Sequence, residues 1–380
     1  MTTKKKITLE DVSREAGVSL STASMILSGR PDVSFSSDTV QNVRHTAEVL
    51  GYRAPVRRRS RPLSARKLVL IVSPNVGNAY YANMVQAIQQ SAEQHGTSTL
   101  IFTTYRDADK EKEILDMALE MGVSGLVFTM MPQSVDIVEK VNRSIPVVVI
   151  GDRNTSLNVD TVELDNYSAG MLVGRHMLGL GHRHIAFIST TLNNANAIRM
   201  RRLDGIRAVY SQEPDTSVQL FTREITPLEE LNDIGIEHRT GYELTMECLK
   251  RNDGISGIVA VNDFVAYGVL DALEESGLKV PEDYSVCGFD NLSASRFWNV
   301  GLTSVEHHIE EKGRNAFNIL YGRMTGDSAP NNITRMEFSH HLLENRSTAP
   351  FHQAGEKTEN AVFSDAHSPA PESATQRKAP

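Results

Sequence analysis

Residues 7–28 read Ile7-Thr8-Leu9-Glu10-Asp11-Val12-Ser13-Arg14-Glu15-Ala16-Gly17-Val18-Ser19-Leu20-Ser21-Thr22-Ala23-Ser24-Met25-Ile26-Leu27-Ser28, two short helical patterns hinged on a glycine. Thr8, with an acid three residues on at Asp11, resembles a capping box, and the helix it opens turns Val12 and Ala16 inward. Gly17 can take positive φ and end that helix, and Ser19 is placed to cap a second over about Leu20–Leu27. A third pattern runs from about Thr39 to Leu50, with Val40, Val43, Ala47 and Leu50 on one side and Gly51 closing it. Two helices joined by a short glycine-containing turn form a helix-turn-helix signature. In the second helix Ala23, Ile26 and Leu27 face inward. Ser21, Ser24, Met25 and Ser28 fall on the opposite side, the face a recognition helix offers to the major groove, with Leu20 and Ser21 leading.

Charge supports a polyanion partner for this head alone. The 380-residue chain has a net charge of −8. Residues 1–67 nevertheless hold 13 Lys and Arg against six Asp and Glu, or +7, leaving 26 against 41, or −15, for the rest. A small basic head on a large acidic body implies that only the head meets nucleic acid. The 40% hydrophobic and 23% charged composition is that of a folded protein. No run approaches the ~18 apolar residues of a membrane span, and no apolar segment follows Lys4–Lys6 as in a secretory signal. With only Cys248 and Cys287, neither a disulfide framework nor a cysteine-based zinc site is expected. These readings place the protein in the cytoplasm, without a membrane partner.

From Leu68 onward, apolar runs alternate with helical patterns. The strand-like runs are Leu68–Val72, Ser98–Thr103, Gly125–Met130, Pro146–Ile150, Ile185–Ser189, Gly257–Val261 and Ser285–Phe289. Amphipathic stretches at Asn83–Gln94, Lys110–Met121, Ala169–Leu180, Thr240–Arg251 and Phe264–Ser276 separate them. Such alternation predicts mainly parallel sheets, and this length suits two similar lobes around a cleft. Ligands in open α/β sheets sit beyond the carboxyl ends of strands. There the sequence places Asn75, Tyr80 and Tyr81, Asp165-Asn166, the polar loop 193–196 leading to Arg199, Arg201 and Arg202, then Asn262-Asp263 and Asp290-Asn291. Amides, carboxylates, a guanidinium and aromatics together suit a small polyhydroxylated or purine-like ligand.

The head, from Ile7 to Leu27, resembles that of the lactose-repressor (LacI/GalR) family. The body carries matching blocks in order: Pro74-Asn75 with Asn78–Tyr81, Gly181–Ile188, Arg202–Gly205, Val261–Asp263, Val286–Asp290 and Leu302–Val305. The resemblance implies a helix-turn-helix head plus a two-lobed sensor like a periplasmic binding protein, acting as a homodimer on a pseudo-palindromic double-stranded operator. It implies base reading by Leu20, Ser21 and Met25, and phosphate contacts near Thr8, Ser19, Ser24 and Ser34. Met25 stands where the family usually has Arg, so an apolar contact replaces a bidentate one to guanine. It points to Arg202, Asn262 and Asp290 as effector ligands, with Asn75, Tyr80, Asp165, Asn196 and His307 beside them. The expected effector is a sugar or sugar derivative. Gly151 falls where many members carry a sugar-binding Asp, with Asp152 one residue late.

The expected organisation is a head at 1–54, an arginine-rich joint at 55–67, a sensor at 68–350 and a disordered tail at 351–380. The N-lobe is expected to take about 68–167 and 298–325, and the C-lobe about 168–297 and 326–350. In the joint, Pro62 should break a helix. Arg57, Arg58 and Arg59 then read as an arm on phosphates, with Leu63 the wedge candidate for the minor groove. The tail lacks the leucine heptads of a tetramerisation helix. His182/His184, His307-His308 and His340-His341 lack the spacing of a helical zinc pair. No Gly-x-Ser-x-Gly, Walker lysine or nucleophile–base pair is present. Neither a cofactor nor catalysis is expected. The rival reading, a solute-binding module, would need a signal peptide and no basic head.

Overall fold

The protein, a computed structural model, is described over residues 7–28, 35–50, 52, 67–153, 157–193, 196–251, 253–327 and 332–351. It divides into two compact units, residues 1–65 and 66–380.

The first unit holds α1 (Leu9–Glu15), α2 (Leu20–Ser28) and α3 (Ser37–Val49). Thr8 and Asp11 form a reciprocal capping box on α1, Ser19 accepts the Thr22 N–H at 3.1 Å, and Ser36 caps α3. Local side chains thus satisfy orphan amides at each helix start. Val12, Ala16, Ala23, Ile26, Val43 and Ala47 close into one core.

The second unit runs β1 (Leu68–Ser73), α4 (Ala79–Gln94), β2 (Ser98–Thr103), α5 (Ala108–Met121), β3 (Gly125–Phe128), α6 (Val135–Val141), β4 (Val147–Asp152), β5 (Asp160–Leu164) and α7 (Asn166–Gly179). It continues through β6 (His184–Ser189), α8 (Ala197–Tyr210), β7 (Ser217–Thr222), α9 (Pro227–Asn232), α10 (Ile236–Arg251), β8 (Gly257–Ala260), α11 (Asp263–Glu275) and β9 (Ser285–Asp290). It ends with β10 (Thr303–Glu306), α12 (Ile309–Thr325), β11 (Arg335–Phe338) and β12 (His341–Leu343). Two six-stranded sheets result, ordered β11-β5-β4-β3-β1-β2 and β12-β10-β9-β8-β6-β7. Every pairing is parallel except β10–β12. The central strands β3, β4, β8 and β9 are buried along their whole length, because helices cover both faces; their runs are apolar rather than alternating.

The chain crosses between lobes three times, at β5→α7, β10→α12 and β11→β12. The second and third crossings correct the expected lobe boundaries. Residues 298–306 stay with the C-lobe, because β10 pairs with β9 from Thr303–Cys287 to Glu306–Asp290. Only from α12, which packs on α4, does the chain return to the N-lobe. Residues 335–338 likewise belong to the N-lobe rather than the C-lobe, since β11 pairs with β5. Both corrections have one cause: each sheet had an edge left unpaired, and strands too short to carry an apolar signature filled it. The expected joint at 55–67 and tail at 351–380 lie outside the described residues, apart from Lys67 and Phe351.

Candidate functional site

In the head, α2 sorts by face as its pattern requires. Ala23 and Ile26 are buried, Leu20 is 46% exposed, Ser21 and Ser24 are exposed, and Met25 is half-buried. The Thr8 hydroxyl is engaged with Asp11 at 2.8 Å and that of Ser19 with Thr22, so both serve as caps. The described face of α2 therefore offers small hydroxyls and two apolar side chains, with no cation. Ser34, Arg57, Arg58, Arg59 and Leu63 lie outside the described residues.

In the body, the carboxyl ends of both sheets border one cavity of about 430 Å³ between the lobes. The C-lobe contributes Asn196, Arg199, Arg202, Glu237, Asn262 and Asp290 to it. Arg202 reaches the cavity because α7 and α8 pack backbone to backbone: a Cβ on Gly170 would lie 2.1 Å from the Arg202 carbonyl oxygen. Its Nε donates to Asn166 Oδ1 at 2.9 Å and its Nη1 to the Val261 carbonyl at 2.5 Å. Its Nη2 lies 3.3 Å from His307 Nδ1 and 3.7 Å from Asp290 Oδ1. One guanidinium thus joins the first crossover, the end of β8, the end of β9 and the second crossover.

Asp290 and His307 meet at 3.0 Å. Burial drives the Asp290 carboxyl well above its ordinary range, opposed by Arg202, and drives the His307 imidazole well below its own. The pair is therefore held toward neutrality. Glu237 behaves oppositely. Burial would raise it, but Arg199 and Arg106 outweigh that and hold it low. Its two oxygens take Arg199 at 2.7 Å and Asn78 at 2.7 Å, with Asn262 at 3.2 Å. Asn262 also caps α11 by accepting the Val265 N–H. On the N-lobe side, burial pulls Lys312 down to about 7, and its Nζ donates to the Tyr80 hydroxyl at 2.7 Å.

Of the effector candidates read from sequence, Tyr80, Asn196, Arg202, Asn262 and Asp290 line this cavity. Three do not. Asn75 turns its Oδ1 back to the Gly77 and Asn78 amides and its Nδ2 to Glu230 across the cleft mouth. Asp165 caps α7 through Ser168, and its neighbour Asn166 faces Arg202 instead. His307 lies behind Asp290 as a support. Sequence reasoning missed Glu237, Asn78, Met131 and Lys312. Asn78, Glu237 and Lys312 sit within or beside a helix, and Met131 lies in the loop after β3; in those places none of the four types carries a signal of its own. An ion pair, Arg106–Glu230, joins the lobes beside Asn75.

Asp290 adopts φ +116°, a region L-residues rarely enter. Such strain costs on the order of 1–3 kcal/mol and persists where the surroundings over-determine it. Asp290→Gly is expected to be more stable than Asp290→Ala by about 1 kcal/mol, after allowing for glycine's greater unfolded-state entropy. Both variants lose the carboxyl, so urea denaturation of the two isolates the backbone term. Equal midpoints would show that strain there does no more than offset glycine's entropic cost.

Comparison with known proteins follows the same lines. The family described as periplasmic binding proteins and sugar binding domain of LacI family matches residues 65–344. The HTH-type transcriptional repressor PurR of Haemophilus influenzae (strain PittEE) is 27% identical over 343 residues, covering 90% of this chain and 98% of that one. A LacI-family transcriptional regulator from Silicibacter pomeroyi superposes with a TM-score of 0.66 at 25% identity, covering 90% of this chain and 99% of its own. A second, from Enterococcus faecium with bound ribose, gives 0.64 at 24% identity, covering 75% of this chain and all of that one.

Proposed function

The chain belongs to the LacI family of transcriptional regulators, and from that premise we propose how its parts divide the work. It is a transcriptional repressor rather than an enzyme, as its repressor relatives are. In this proposal the three-helix head of a homodimer reads a pseudo-palindromic operator through Leu20, Ser21 and Met25. The interlobe cavity takes a sugar or sugar derivative on Arg202, Asn262 and Asp290, with Tyr80 and Asn196 at its edge. The observation that carries the effector seat is Arg202, which spans the cavity wall and two of the three crossovers. A ligand seated on it biases the lobe closure that those crossovers permit. Operator and effector act on one equilibrium, so an effector that weakens operator binding must itself bind more weakly to the operator-bound form.

A thermal-shift screen of sugars, sugar phosphates and purines on the full chain tests this. A ligand at about 100 times its Kd stabilises by roughly 2.7 kcal/mol, a rise of about 4 °C for a unit of this size. Such a hit is expected to vanish in Asp290→Ala. One that persists in Arg202→Ala, Asn262→Ala and Asp290→Ala alike would place the effector elsewhere.

A further inference from the structure

The two walls of the cavity differ in chemistry, and the difference constrains the ligand. Facing the C-lobe's polar groups, the N-lobe presents Met130, Met131, Pro132, Val135, Ile150 and Leu164. Its polar side chains are engaged with one another or with the far lobe: Lys312 with Tyr80, Gln133 with the Arg106 carbonyl, and Arg106 with Glu230. No N-lobe carboxylate lines the cavity among the described residues.

Gly151 and Met131 account for this. Gly151 has no positive φ to explain a glycine. A Cβ there would lie 2.1 Å from Met131 Sδ, so the thioether occupies the volume a side chain at 151 would use. The carboxylate next in sequence, Asp152, instead accepts the Asn166 backbone N–H and side-chain amide, each at 3.1 Å. A ligand hydroxylated all round would press hydroxyls against sulfur and aliphatic carbon, where they find no partner. A thioether prefers an aromatic edge.

We propose that the cleft takes a glycoside with an apolar, preferably aromatic, aglycone, its sugar on Arg202, Asn262 and Asp290 and its aglycone on the Met131 wall that Gly151 makes possible. This rests on the reading of the cavity as the effector seat. Met131 is then the residue that sets specificity.

The test is calorimetric titration of the full chain with matched methyl and phenyl β-glycosides of glucose, galactose, xylose and ribose. In at least one pair the phenyl member is expected to bind tenfold or more tightly than the methyl member. Met131→Leu should keep that preference, while Met131→Asp should reduce it to less than threefold. The proposal is overturned if no phenyl glycoside binds, if methyl and phenyl members bind alike in every pair, or if the preference survives Met131→Asp. Phenyl binding that Asp290→Ala leaves intact would instead sink the placement of the sugar, a separate failure. Asp290-dependent hits confined to free sugars, sugar phosphates or purines would preserve the seat and reject the glycoside.

Discussion

Arg202→Ala is expected to abolish the effector-dependent rise in Tm and to destabilise the body by about 3 kcal/mol, near the lower end for breaking a buried pair. The residue is only 6% exposed. Its removal strands Asn166 Oδ1 and the Val261 carbonyl, both buried acceptors, and each such loss costs on the order of 1–3 kcal/mol. It also uncovers the Phe289 ring, over which the guanidinium lies at 4.7 Å. The cost stays below that of a bare buried charge for a specific reason. Burial already drives the Asp290 carboxyl upward, so without Arg202 it takes a proton instead of remaining an uncompensated anion. Arg202→Lys separates folding from recognition. A lysine keeps the charge but cannot reach Asn166, Val261 and the Asp290 side together, so part of the stability should return while the effector response does not. Urea denaturation with and without a screening hit reads both quantities. A full effector shift in either variant would remove Arg202 from the site.

How much was readable beforehand depends on the range of the interaction that fixes each feature. The capping box at Thr8 and Asp11, the cap at Ser19 and the inward Val12, Ala23 and Val43 are set within four residues or by helical period, and the sequence displays them. The strands β1, β3, β4, β6, β8 and β9 are buried on both faces and announce themselves as unbroken apolar runs. Strand β7 is an edge and only half-buried, while β10, β11 and β12 have three or four residues each; their place follows from which sheet edge is vacant. Helix α8, with Arg199, Arg201, Arg202 and Arg207 along it, does not read as an element that packs inward, yet Arg202 is buried through it.

The same distinction divides the site. Asn262 follows β8 and Asp290 ends β9, places where a polar residue is conspicuous. Glu237 lies in the first turn of α10, where an acid ordinarily answers the helix dipole, and nothing local reveals that it ties Asn78 of one lobe to Arg199 of the other. Asp165 and Asn166 differ by one position, but the first caps α7 and the second meets Arg202. A backbone turn decided between them, and side-chain chemistry could not.

Arg57, Arg58 and Arg59 replaced together by Ala are expected to flatten the salt dependence of operator binding and to weaken it several hundred-fold at 0.1 M salt. Each phosphate contact contributes about 0.9 to the slope of log K against log salt, so three lost contacts reduce it by roughly 2.7, with a similar loss in log K at that salt. The premise is electrostatic. Residues 1–67 carry +7 and the remainder −15, so the body repels a polyanion and the attraction must be concentrated in the head and joint. Because the helix proposed to read bases offers Leu20, Ser21, Ser24 and Met25 rather than a cation, the proposal assigns a large share of the phosphate contacts to these joint arginines. A phosphate term is blind to sequence, so non-specific DNA should lose affinity by the same factor and the specificity ratio should stay within a few-fold. Met25→Arg should do the reverse, shifting preference toward a guanine at the base it faces by about 1–3 kcal/mol and steepening the slope by less than one contact. Titration of labelled operator, selected by binding-site enrichment, from 50 to 200 mM salt distinguishes the two. An unchanged slope in the triple variant would show that the arginine joint does not touch phosphate.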